Sequence, residues 1–69
     1  MKVKATERFK VERASKGITI RELSELAAVP IGTISRLENG QSVSVRSASK
    51  LSKAMKQEFE KLFYIEAAQ

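Results

Sequence analysis

Between Glu25 and Glu58 the sequence carries a single acid, Glu38, against Arg36, Arg46, Lys50, Lys53 and Lys56. Cationic side chains at this density do one kind of chemistry: they hold polyanions, meaning nucleic acid or acidic lipid, unless they form only a solvated face. Arg36 adds a planar fork of donors of the shape that grips guanine O6 and N7 or a phosphate, and it has no exposed acid beside it. Other chemistry has little to stand on. The 69 residues include no cysteine, histidine or tryptophan, and all eight acids are glutamates. Disulfides and thiolate or imidazole metal sites are excluded, so no metal and no cofactor is expected. An acid–base pair would need glutamates and lysines converging in a pocket, and no glycine-rich phosphate loop is present, so the chain is not expected to be an enzyme.

The elements that position these cations are read from spacing. A chain of this length makes at most one small domain, here 1–69, held by apolar burial alone. Ala5, Phe9 and Val11 give a sparse stripe for a first helix over about 4–16, with Gly17 as its left-handed stop. Thr19-Ile-Arg-Glu22 matches a capping box, opening a second helix over about 19–28 whose inner stripe is Ile20, Leu23, Leu26 and Ala27. Pro30 tolerates only the first positions of a helix, so a third helix begins there and runs to about 38, with Ile34 and Leu37 inward and Gly40 ending it. Residues 32, 33 and 36 then project outward. Ile31 either extends the core or, if exposed, can meet a thymine methyl. A polar loop, Gln41 to Val45, leads to a fourth helix over about 46–55 (Ala48, Leu51, Ala54, Met55) and a fifth over about 58–65 (Phe59, Leu62, Phe63). Five short helices and no sheet are expected.

Two short helices joined by a tight turn in a small basic domain suit a helix-turn-helix. RELSELAAVPIGTISRLENG resembles the core signature of the Cro/C1-type, or lambda-repressor-like, helix-turn-helix family, also called the xenobiotic-response-element family. The likeness runs ungapped from about Ala5 to Phe63. It implies an all-α, five-helix DNA-binding domain whose third helix enters the major groove while the second lies across the backbone. By this resemblance Ile31, Gly32, Thr33 and Arg36 face base edges, and Thr19, Asn39, Ser42, Ser44 and Arg46 meet phosphates. Arg13 and Glu38 resemble a structural ion pair found in some members, which would neutralise the one acid near the reading helix. The sequence departs from the family pattern in four places: Ser24 replaces a small alanine, Ala28 a turn glycine, Pro30 a hydroxyl cap, and Ile20 a polar phosphate contact. Ala28 therefore implies either a left-handed alanine or a reshaped turn.

The functional expectation is a sequence-specific regulator of double-stranded DNA, a dimeric repressor reading a palindromic operator. The competing expectation is a protein-interaction module, or an antitoxin-type component, on the same fold. Phe63, Tyr64 and Ile65 exceed what one core-facing side of a fifth helix needs, and mark a homodimer contact or a docking place for a protein partner. No apolar run is long enough to span a membrane and the amino terminus lacks a secretory apolar stretch, so the cytoplasm is the default compartment and no membrane partner is expected.

Overall fold

The computed structural model describes residues 1–66, and residues 67–69 of the expected unit lie outside them. The capping box forms as its residue types dictate. Thr19 Oγ1 accepts the Glu22 N–H at 3.0 Å and the Glu22 carboxylate accepts the Thr19 N–H at 2.9 Å, which starts α2 (Ile20–Ala27). The helix ends at Ala28, which is left-handed at φ 55°, ψ 46°. That conformation costs a non-glycine residue on the order of 1–2 kcal/mol. The departure at Ser24 offsets part of the departure at Ala28. The Ser24 carbonyl accepts the N–H groups of Ala28 and Val29, and its hydroxyl donates to the Val29 carbonyl at 2.6 Å.

Pro30 precedes α3 (Ile31–Glu38) as its cap, where its missing N–H is harmless, and its carbonyl accepts from Thr33 and Ile34. Val29, Ile34 and Leu37 are buried, so the turn and the inner face of α3 are fixed to the core. Gly40, at φ +79°, turns the chain out of α3. Ser44 caps α4 (Val45–Met55) by accepting the Ser47 N–H at 3.2 Å, and α4 buries Ala48, Leu51, Ser52 and Met55.

The ends of the chain differ from the five-helix, sheet-free expectation. Lys2–Ala5 is a strand, β1, and the first helix, α1, spans only Glu7–Ser15. Thr6 separates the two. Its N–H and hydroxyl both reach the Leu62 carbonyl, and the hydroxyl also reaches that of Lys61, which ties this corner to a distant segment. The fifth helix, α5, stops at Leu62 after starting at Phe59, and Phe63–Ile65 is a strand, β3. Aromatic and β-branched side chains favour a pleated, half-buried surface, and here a partner strand exists to accept them. The expected polar loop contains a further strand, β2 (Val43–Ser44), with Val43 buried. The three strands form one antiparallel sheet in the order β2-β1-β3, pairing Val3 with Val43 on one side and with Ile65 on the other.

Two apolar assignments also change. Leu26 is 64% exposed, because at 100° per residue it falls to the far side of Leu23 from Ala27 and Ile20. Val11 is likewise exposed, so Phe9 is the only fully buried side chain of α1. Phe9 and Phe59 flank Phe63 at ring-centroid distances of 5.5 and 5.3 Å, within the range for favourable aromatic pairs. Sheet and helices share one apolar cluster, running from Val3 and Phe9 through Leu23, Ile34 and Leu51 to Leu62.

Candidate nucleic-acid interface

The outer face of α3 carries Ile31, Gly32 and Arg36 exposed, with Thr33 half-buried beside them. Ile31 is 45% exposed and is therefore not part of the core. Gly32 has open space around it: a Cβ built there meets nothing within 4 Å. Among the described residues nothing requires glycine at this position, although glycine weakens a helix by about 1 kcal/mol relative to alanine. Arg36 donates one long hydrogen bond, 3.3 Å, to the Ser42 carbonyl, and its other guanidinium donors face outward.

Beyond α3 the chain places Asn39 exposed at the helix end, Ser42 half-buried, and Ser44 and Arg46 exposed around the start of α4. The Ser44 hydroxyl is engaged with the N–H and hydroxyl of Ser47, so it serves as a cap in the free chain. Thr19 is similarly engaged. The Glu22 carboxylate occupies its N–H, which leaves the hydroxyl proton as its remaining donor and puts a negative charge beside the first turn of α2.

Electrostatics at the far end of α3 depend on Glu38. Arg13 Nε lies 2.9 Å from its carboxylate, with side-chain exposures of 20% and 14%. The same arginine donates through Nη1 to the Ile18 carbonyl at 2.9 Å. One guanidinium thus joins α1, the α1–α2 connection and the end of α3, while pairing with the single acid between Glu25 and Glu58. Arg36 on α3, Arg46, Lys50 and Lys53 on α4, and Lys56 at its end are all exposed, Lys50 and Lys53 beside Leu26 and Ala27 of α2.

Phe63 is 2% exposed and belongs to the core, so it is withdrawn from the expected contact surface; Tyr64 and Ile65 remain exposed on β3, an edge strand. Sequence reasoning missed the Ser24 brace across the turn. A hydroxyl where a small apolar residue is usual, four positions before an alanine standing for glycine, was the available signal. Among the described residues no cluster of acids has the arrangement of a metal site, and no helix is long and apolar enough to cross a membrane.

A capped helix, a tight left-handed turn and a second helix with its back buried and an exposed front bearing Arg36 have the form of a helix-turn-helix, the class of DNA-binding domains in which the second helix reads the groove. The family model described as helix-turn-helix matches residues 9–62, and the chain belongs to this Cro/C1-type helix-turn-helix family. Searches of curated proteins and of solved structures give no match.

Proposed function

We propose that the chain is a single lambda-repressor-like domain, 1–69, that binds double-stranded DNA sequence-specifically in the cytoplasm and acts as a homodimeric transcriptional repressor. The observation that carries this reading is α3 itself. Its buried back, Ile34 and Leu37, fixes a front of Ile31, Gly32, Thr33 and Arg36 that is free to enter a groove. In this reading Arg36 grips a guanine edge, Ile31 meets a thymine methyl, and Gly32 lets the helix approach closely. Thr19, Asn39, Ser42, Ser44 and Arg46 set register on phosphates. No cofactor takes part, and repression follows from occupying the operator.

Tyr64 and Ile65 support a two-fold dimer, because they are apolar, exposed and on a strand with one unpaired edge. Two copies related in this way read half-sites about one helical turn apart. The same residues support the second reading, a protein-interaction or antitoxin-type component. Selection of bound duplexes from a random pool separates the two. The proposal expects a palindromic motif whose affinity falls steeply with salt. No enrichment and no duplex affinity at low salt, together with capture of a protein through Tyr64 and Ile65, would favour the interaction module.

A further inference from the structure

The family match covers residues 9–62, so β1 and β3 lie outside it. β1 nevertheless runs between β2 and β3 and packs against α3 and α4. Its central residue, Val3, is fully buried and pairs with Val43, which is buried too; Lys2 pairs with Ser44. The segment that β1 pairs with is the one that carries Ser42 and Ser44 and leads directly into Arg46.

We infer that β1 is a positioning element for DNA binding, and that Val3 is the residue through which it fixes the phosphate-facing loop between α3 and α4. β2 is only two residues long. A strand that short has too few hydrogen bonds and too little buried surface to hold itself, and needs a neighbour to give it register. Besides the packing of Val43 and Val45 against the core, the restraints within the loop are local. The Gln41 N–H donates to the Arg36 carbonyl at 2.8 Å, the Gly40 N–H donates to that of Leu37, and Arg36 makes its long bond to Ser42. These restraints hold the start of the loop at the end of α3. The part that follows, where Ser44 caps α4 and Arg46 projects, is tied to α4 by that cap and needs β1 for its strand register. Val3 supplies that register by seating Val43 in the core, about forty residues away in sequence, by strand pairing. α3 touches β1 but is seated chiefly through α2, the Pro30 turn and its own Ile34 and Leu37, so loosening β1 releases phosphate contacts and leaves base reading in place.

The inference rests on the DNA-binding reading, and its test distinguishes the two. Full-length Val3→Ala is compared with wild type and with Val3→Ile on a duplex from the selected pool, between 50 and 200 mM salt. Each phosphate contact contributes roughly a three- to fourfold loss of affinity over that range. The expected result for Val3→Ala is a salt-dependent loss shallower by that factor for each contact released, with the ranking of single-base operator variants unchanged. Val3→Ile restores the wild-type slope. Met55→Ala, a core truncation at the far end of α4 from Ser44 and Arg46, lowers stability and leaves the slope alone, which separates positioning from general loosening. Should Val3→Ala not fold, Val43→Ala weakens the same pairing from the other strand and gives the same readout. A folded Val3→Ala or Val43→Ala with wild-type salt slope overturns the inference. A wild-type protein with no duplex affinity overturns the DNA-binding reading instead.

Discussion

The helix that faces outward and the loop that follows it are anchored by different means. α3 is held chiefly from close by in sequence, by a turn that Ser24, Ala28 and Pro30 shape and by its own Ile34 and Leu37 against the core, with Arg13 bracing its far end. The loop leading to Arg46 is held from far away, by Val3 near the amino terminus, which also pairs with Ile65 near the other end of the described chain. Local anchoring fixes the orientation of a recognition face within one supersecondary unit. Remote anchoring makes the neighbouring contact surface depend on segments outside that unit, so the two surfaces can be disturbed separately.

The sharpest way to break the local anchor is Leu37→Ala, which empties a fully packed site behind α3. It is expected to destabilise the fold by about 2–5 kcal/mol, read as a lowered urea midpoint, and to remove base reading and phosphate contacts together. A slightly smaller effect is expected from Glu38→Ala. This change leaves Arg13 half-buried and unpaired between α1 and α3, at a cost of about 2 kcal/mol, between the exposed and buried limits for ion pairs. Thermal unfolding checks it, and Glu38→Gln, which keeps a hydrogen-bond acceptor, is expected to recover part of the loss. The smallest change is the most diagnostic for the outward face. Gly32→Ala meets no atom of the chain and replaces a poor helix former, so stability rises by about 1 kcal/mol while operator affinity falls, as measured by denaturation and by titration of the same preparation. Equal or higher affinity in Gly32→Ala would remove close groove approach as the reason for glycine there.

The same contrast explains what the sequence disclosed. The capping box at Thr19, the stop at Gly17, the proline-led start of α3 and its Ile34 and Leu37 stripe are local signals, and each sits where its spacing implies. Helix periodicity misjudged Leu26, because a spacing of three residues leads to the edge of an apolar face as readily as to its middle. The sheet was hidden for a different reason. Its strands are two to four residues long, too short to show alternation, and each needs a partner remote in sequence before it gains anything from being extended. The β-favouring trio Phe63, Tyr64 and Ile65 continues a helical apolar pattern, which conceals the strand. At the interface, the outward positions of α3 followed from its periodicity. The engagement of Ser44 by Ser47 depends on side-chain rotamers that spacing leaves open.

In the proposed function α3 reads bases through Arg36. The most direct test of this is to measure Arg36→Ala affinity on the selected operator and on every single-base-pair variant of it, at one fixed salt concentration. The account predicts that wild type loses about 1–3 kcal/mol when one guanine pair is changed, and that Arg36→Ala no longer distinguishes the pairs at that position while still discriminating elsewhere. An Arg36→Ala protein weakened equally on every duplex, with its base preferences intact, would contradict it and assign Arg36 to a phosphate.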